Sequence, residues 1–181
     1  MTSYDLSFAQ QDHFALLGLS RAYGIDRNAL DALYRDVQGR VHPDKHAHQG
    51  DAEQRIAMQW ATQVNDAYQT LQDPLRRARY LLQLAGFDPQ IETNTAMPTD
   101  FLIHQMELRE TVAAVRAAGD IERLDELHRQ IRKEMAGQHE ELRRAIDETR
   151  DYAHAGEVVR QLMFQEKLLT EIDDALAAVD V

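Results

Sequence analysis

The sequence contains no cysteine, and this absence excludes several kinds of protein. Without thiols the chain has no disulfides, no thiolate metal site and no cysteine nucleophile. Glycine and proline are also scarce, with 8 and 4 occurrences, and no glycine-rich phosphate-binding motif is present. No apolar run approaches the roughly 18 residues of a membrane span. The first eleven residues lack the basic and apolar segments of a secretory signal. We therefore expect a cytoplasmic protein.

Acidic residues outnumber basic residues by 31 to 20, which gives a formal net charge of -11. Such a surface repels phosphate, so we expect neither a nucleic-acid nor a membrane partner. The excess is uneven, because residues 98–181 hold 19 acidic and 11 basic side chains, whereas residues 1–97 hold 12 and 9. Within the first half, basic side chains cluster around one predicted helix: Arg27, Arg35, Arg40 and Lys45. This cluster favours an acidic protein partner, although taken alone it is more simply a solvated helix face.

Apolar residues recur at helical spacing through most of the chain, and no strand-like alternation is found. We therefore predict an all-α protein. After a tail over residues 1–11, an N-terminal domain over residues 12–86 should contain short helices and an antiparallel helical hairpin. Residues 87–99 contain two of the prolines and should form a connector. The C-terminal domain over residues 100–181 should be a three-helix bundle, with helices over about 100–118, 121–150 and 154–179.

Three short motifs occur in a fixed order in the N-terminal domain. Residues 12–19 read DHFALLGL, the basic helix ends at His42-Pro43-Asp44, and residues 73–80 read DPLRRARY. Pro43 stops the helix and presents His42 and Asp44 at a stiff corner. As a bare tripeptide, this corner is more simply a helix stop with incidental polar residues. Because the tripeptide occurs in a fixed order with the other two motifs, we interpret it as more than a helix stop.

Residues 12–80 resemble the J-domain of DnaJ-type co-chaperones. The resemblance implies that the chain binds a DnaK-type ATPase chaperone and stimulates ATP hydrolysis by that chaperone. It also implies that the tripeptide His42-Pro43-Asp44 is essential for the stimulation, and that the basic helix docks on the chaperone. The expected docking residues are therefore Arg27, Arg35, Arg40 and Lys45 together with His42, Pro43 and Asp44.

The rest of the chain is similar to a narrower family. Residues 80–87 (YLLQLAGF) and residues 101–110 (FLIHQMELRE) look like the matching segments of HscB, the co-chaperone family of iron–sulfur cluster assembly. Eukaryotic members add an N-terminal cysteine zinc module, which is missing here, so the resemblance is to bacterial-type members. It implies an HscA-like chaperone partner and an IscU-like scaffold protein, on which the cluster is assembled. The implied scaffold-binding residues are Leu102, Ile103, Met106, Glu107, Arg109, Glu110 and Phe164.

The helical wheel supports a partner surface independently of the resemblance. Phe101, Leu108, Val112 and Val115 form one apolar stripe that should face the bundle core, and Leu102, Ile103 and Met106 lie on another face. In the last helix, Phe164 and Leu168 should point away from the core stripe. Exposed apolar side chains amid charge indicate an interaction surface. The alternative is that both stripes are buried, one in the bundle and one against the N-terminal domain.

Other interpretations remain open at this stage. One is a general J-domain co-chaperone whose bundle binds unfolded proteins. Another is a metal-dependent enzyme that uses His42, His46 and His48, although these histidines lack a nearby fourth ligand. We expect neither a catalytic residue nor a cofactor nor a bound metal, and we expect a monomer that activates the ATPase of its partner. In the third helix the predicted buried residues are Ile56, Trp60, Val64, Ala67, Tyr68 and Leu71.

Overall fold

The computed structural model describes residues 11–41, 50–87 and 97–178, and every regular element in these ranges is a helix. The prediction of an all-α protein is therefore confirmed. The chain divides into two compact units, Met1–Leu81 and Leu82–Val181. Helices of the first unit are α1 (His13–Leu16), α2 (Arg27–Val41), α3 (Asp51–Gln72) and α4 (Pro74–Leu84), whose last residues belong to the second unit. The second unit continues with α5 (Thr99–Ala118), α6 (Ile121–Arg143) and α7 (Tyr152–Ala177).

The short helix α1 is fixed by its N-cap, Asp12. The Asp12 carboxylate accepts a hydrogen bond from the Ala15 amide at 2.9 Å, which satisfies one of the free amides of the first turn. It also accepts from Arg21, whose guanidinium nitrogens lie 2.6 and 2.8 Å away. Burial acts to raise the pKa of Asp12, but the hydrogen bonds from Ala15 and Arg21 outweigh it and hold the pKa below its ordinary value. The first motif of the sequence is thus a capped helix.

Helices α2 and α3 are joined by two stacked tyrosines. The rings of Tyr34 and Tyr68 lie 4.1 Å apart. The Tyr34 hydroxyl donates to Asn65 on α3 at 2.7 Å, and the Tyr68 hydroxyl donates to Asp31 on α2 at 2.9 Å. Each tyrosine therefore places its apolar ring against the opposite helix while its hydroxyl remains hydrogen-bonded. This reciprocal pair fixes how the two helices lie against each other.

The buried stripe of α3 differs from the predicted one. Ile56 is exposed, whereas Ala57 is buried together with Val64 and Leu71, which follow it at intervals of seven residues. Trp60 was predicted to be a core residue and is half-buried. The predictions for Val64, Ala67 and Leu71 are confirmed, because all three are buried. Tyr68, which was also predicted to be buried, is half-buried. The prediction for Ile56 was wrong: one residue is about 100° of rotation around a helix, so the neighbouring Ala57 faces the interior and Ile56 does not.

The second unit contains a three-helix bundle, as predicted. Side-chain pairs between α6 and its neighbours show that α6 runs antiparallel to both: His104 of α5 lies 3.4 Å from Glu134, and His128 of α6 lies 3.1 Å from Asp173 of α7. Consequently α5 and α7 run in the same direction. Leu124, Leu127 and Ile131 of α6 are almost fully buried, and α7 has the widest buried face.

The connection between α5 and α6 differs in structure from the connection between α6 and α7. Gly119 ends α5 with a φ of 67°, which an L-residue adopts at a cost, and Asp120 caps α6 by accepting from the Arg123 amide at 3.0 Å. At its other end α6 stops at Arg143, and residues 144–149 continue as a π-helical turn. The prediction of a regular helix to residue 150 was wrong there. The wider turn buries Ala145 and Ile146, which are adjacent in sequence, on the same side.

His13 makes the stability of the first unit sensitive to pH. Its amide donates to the Tyr80 hydroxyl at 3.0 Å, and its ring stacks on Tyr80 at 4.3 Å. Burial lowers the pKa of His13, and the nearby carboxylates of Asp66 and Asp12 oppose this shift only partly. Because the folded pKa lies below the unfolded one, the stabilisation is complete above about pH 6.5 and is lost as the pH falls through the folded pKa.

We therefore expect the free energy of unfolding of the first unit to fall between about pH 7.5 and about pH 5.5, and to fall less in His13→Phe. Phenylalanine keeps the stacking surface but does not titrate. Urea unfolding followed by the fluorescence of Trp60, the single tryptophan, measures this unit. If the wild type and His13→Phe showed the same pH dependence, the assignment of this dependence to His13 would be wrong.

Candidate functional site

Three apolar side chains on α5 are exposed close together, and we call them the apolar patch: Leu102, Ile103 and Met106. Their exposed fractions are 38%, 50% and 62%. They account for three of the six large hydrophobic residues exposed in the described part of the chain. The core-facing side of the same helix carries Leu108 and Val112, which are buried. The alternative that both stripes of α5 are buried is therefore wrong.

Phe164 brings α7 to the first turn of α5. Its ring meets Phe101 edge-on, with ring centroids 6.4 Å apart and planes at 81°. Both rings are half-buried, so Phe164 retains surface toward solvent. Leu168 was predicted to point away from the core beside Phe164, and this prediction was wrong because Leu168 is fully buried. Since α7 is packed over a wide face, Leu168 fills the core between its neighbours Leu169 and Gln165.

Charged side chains follow the apolar patch along α5. Glu107 and Glu110 are exposed, and Arg109 lies 3.9 Å from Glu171 of α7. Both partners of this pair are about half-exposed, so the pair contributes little to stability, between 0 and about 1 kcal/mol. The three charged residues that the resemblance implies are therefore free to meet a partner. Polar groups next to an apolar centre are typical of protein interfaces.

Two buried amides beneath this region were not predicted from the sequence. Gln105 of α5 is 4% exposed, and neither atom of its amide has a hydrogen-bond partner among the described residues. Gln165 of α7 is 2% exposed, and its amide oxygen likewise has no partner within the described ranges. Each unpaired buried group costs about 1–3 kcal/mol. In the sequence, the burial of Gln105 is indicated only by its spacing, because it lies between Phe101 and Leu108 on the core stripe.

The basic residues of α2 are exposed but do not form one stripe. At about 100° per residue, Arg35 lies about 80° around the helix from Arg27, and Arg40 lies about 140° beyond Arg35. Arg35 donates to the backbone oxygen of Asp31 at 3.2 Å, and Arg40 lies 3.9 Å from the Asp36 carboxylate. The remaining predicted chaperone-binding residues lie outside the described residues: His42, Pro43, Asp44 and Lys45.

The metal-site hypothesis concerns His42, His46 and His48, which also lie outside the described residues. Elsewhere, in residues 11–41, 50–87 and 97–178, no group of three or more histidines and carboxylates is arranged to hold a metal ion. None of the helices in these ranges combines the length and apolarity needed to cross a membrane.

Comparison with known proteins gives consistent results for both halves of the chain. Residues 12–80 match the family model of the DnaJ domain, and residues 97–173 match that of the HSCB C-terminal oligomerisation domain. The co-chaperone protein HscB homolog of Aromatoleum aromaticum is 52% identical over 171 residues, which are 94% of this chain and 97% of that protein. The corresponding homolog of Ralstonia nicotianae is 48% identical over 175 residues, covering 97% and 99% of the two chains.

Solved structures agree with these sequence matches. Chaperone HscB from Vibrio cholerae superposes with a TM-score of 0.83 at 32% identity, covering 93% of this chain and 99% of that chain. The human co-chaperone protein HscB also gives a TM-score of 0.83, at 28% identity, covering 94% and 84% of the two chains.

The contrast between Leu168 and Met106 is testable by stability measurements. Leu168→Ala should lower the free energy of unfolding by about 2–5 kcal/mol, because it removes fully buried methyl groups and leaves a cavity. Met106→Ala, at a side chain that is 62% exposed, should change it by less than about 0.5 kcal/mol. Thermal and urea unfolding of both variants give the comparison. Equal losses would show that Met106 belongs to the core.

Proposed function

Because the chain belongs to the HscB family of J-domain co-chaperones, which act in iron–sulfur cluster biogenesis, we propose that it binds the cluster scaffold protein and delivers it to an HscA-like chaperone of the DnaK type. In this proposal the bundle binds the scaffold through the apolar patch, with Phe164 beside it. The first unit docks on the chaperone and stimulates its ATPase. These steps take place in the cytoplasm.

Exposure of the apolar patch is the observation that carries this proposal. Leu102, Ile103 and Met106 are held on a regular helix whose opposite side is packed in the bundle. The backbone that carries them is therefore already in place before a partner arrives, so binding has to order only the side chains. Covering such side chains typically yields about 1.5–3 kcal/mol each when burial is complete. Three adjacent apolar anchors are enough to form the centre of an interface.

The charged residues around the patch favour a folded scaffold over an unfolded chain as the ligand. Glu107, Arg109 and Glu110 follow the patch on the same helix and carry both signs of charge. A partner with matching charges gains from this arrangement, whereas a partner of arbitrary sequence meets unmatched or like charges. A general binder of unfolded proteins is better served by a larger and more adaptable apolar surface.

The J-domain supplies the second half of the proposed function. The sequence has no glycine-rich phosphate-binding motif, so the proposed stimulation acts on the nucleotide site of the chaperone. In the sequence, Asp44 follows Pro43 directly, and its carboxylate suits a charge-assisted hydrogen bond to an arginine of the chaperone. The exposed arginines Arg27, Arg35 and Arg40 guide the approach of an acidic surface. Simultaneous binding of the scaffold by the bundle raises its effective concentration at the chaperone.

The double variant Leu102→Ala/Met106→Ala should weaken scaffold binding. It removes side-chain carbons worth about 2–3 kcal/mol of interface burial, which corresponds to a dissociation constant raised about 30- to 150-fold. Isothermal titration calorimetry with purified scaffold measures the change. Ile121→Ala is the control, because Ile121 is an apolar residue on α6 whose exposed fraction of 43% lies between those of Leu102 and Met106. A dissociation constant that is unchanged in the double variant, or raised equally in the control, refutes the patch.

Asp44→Asn should abolish ATPase stimulation while leaving scaffold binding unchanged. The substitution keeps the shape of the side chain and removes only its charge, so the circular dichroism spectrum should not change. Steady-state ATPase assays of the chaperone, with and without scaffold, provide the measurement. Asp66→Asn, at an exposed carboxylate on α3, is the control and should stimulate like the wild type. Full stimulation by Asp44→Asn would rule out the proposed role of the tripeptide.

A further inference from the structure

A groove of about 600 Å³ lies between α5 and α7 in the second unit. Val112, Ala113 and Ala117 of α5 contribute its apolar lining. Because the side chains of Ala113 and Ala117 are small, another segment can approach the helix backbone closely there. We call this feature the α5–α7 groove.

The walls of the α5–α7 groove carry opposite charges. Arg109 and Arg116 line the α5 side, and Glu171 and Asp174 line the α7 side. Among the described residues one ion pair spans the groove, the 3.9 Å contact between Arg109 and Glu171. Within the described residues, the side chains of Arg116 and Asp174 have no hydrogen-bond or ion-pair partner. The far end of the groove therefore offers two unused charges of opposite sign.

The groove continues the surface that begins at the apolar patch. Leu102, Met106, Arg109, Ala113 and Arg116 are spaced by four, three, four and three residues, which places them along one face of α5. With a rise of about 1.5 Å per residue, this face extends over about 21 Å. Phe164 lies near its beginning and Glu171 near its middle, because α7 runs parallel to α5. Arg109 belongs both to the charged residues around the patch and to the groove.

We propose that the scaffold contact extends from the apolar patch along the α5–α7 groove, and that its occupant is an amphipathic helix of the scaffold protein. This inference rests on the proposed function. The scaffold helix places apolar residues over Leu102 and Met106, an acidic side chain toward Arg116 and a basic one toward Asp174. Two parallel helices with a groove between them accept a further helix in the same way as a four-helix bundle does.

The charge of the protein argues against a second copy of the same chain in the groove. The net charge is -11, and residues 98–181 hold 19 acidic and only 11 basic side chains. Two such bundles repel each other. A partner helix that carries both signs of charge, or fewer acidic residues, can form ion pairs with both walls of the groove without this repulsion.

Charge reversal at the far end of the groove tests the inference. Calorimetric titration of full-length protein with purified scaffold should give a dissociation constant raised about tenfold for Arg116→Glu and for Asp174→Lys. Arg116→Gln should give a smaller increase, because it removes the charge without reversing it. Lys133→Glu makes the same charge change on an exposed position of α6 and should stay within about twofold of the wild type. Circular dichroism verifies that each variant remains folded.

The outcomes separate the two proposals. If the wild type binds the scaffold and Leu102→Ala/Met106→Ala weakens binding, but Arg116→Glu behaves like Lys133→Glu, the groove is not part of the contact and the patch alone remains. If the wild type does not bind the scaffold at all, both proposals fail. Sedimentation velocity identifies the competing occupant, because a wild-type dimer that Arg116→Glu converts to a monomer would assign the groove to self-association.

Discussion

The wide buried face of α7 is the constraint on which the second unit depends. Ten residues of α7 between Ala155 and Ala175 are buried, so this one helix supplies a large share of the hydrophobic interior. The helix α5 buries only Gln105, Leu108 and Val112. A helix that packs through so narrow a stripe leaves most of its circumference to solvent. The apolar side chains on that open face are not needed for the core, and this is why they are available to a partner.

The interior beneath the patch has a lower stability than an apolar interior would have. Gln105 occupies a core position of α5, and its amide finds no hydrogen-bond partner in the described residues. Gln165 repeats the feature on α7. An apolar side chain of similar volume at either position would avoid the cost of an unpaired polar group. Natural proteins often tolerate such losses of stability where a surface serves binding. Selection removes only those variants whose stability falls below the threshold needed for function. The two buried amides lie on different helices, Gln105 on α5 and Gln165 on α7, whereas the exposed apolar patch lies on α5 alone.

Much of the fold follows from local signals in the sequence. Pro74 and Gly119 mark helix boundaries, and the bounds of α3 agree with the prediction because breakers flank a long periodic segment. Three features could not be predicted this way. The π-helical turn after Arg143 preserves the apolar pattern, the exposure of Ile56 beside the buried Ala57 depends on how α3 packs against its neighbours, and so does the burial of Leu168 in α7. The exposure of Leu102 and Met106 followed from the helical wheel, whereas their proposed role came from the family resemblance. Wall charges such as Arg116 and Asp174 lie far apart in sequence, so only the parallel arrangement of α5 and α7 brings them to one groove.

That parallel arrangement has a consequence for biosynthesis. The first helix of the bundle and the last one together form the surface, and Leu102 and Asp174 are separated by most of the second unit. During translation, α5 leaves the ribosome well before α7 has been synthesised, because chains grow at roughly 5–20 residues per second. A nascent chain therefore contains Leu102, Ile103 and Met106 before Glu171 and Asp174 of α7 have been synthesised. Under the proposed contact, a chain truncated before α7 presents the apolar patch without the acidic wall of the groove.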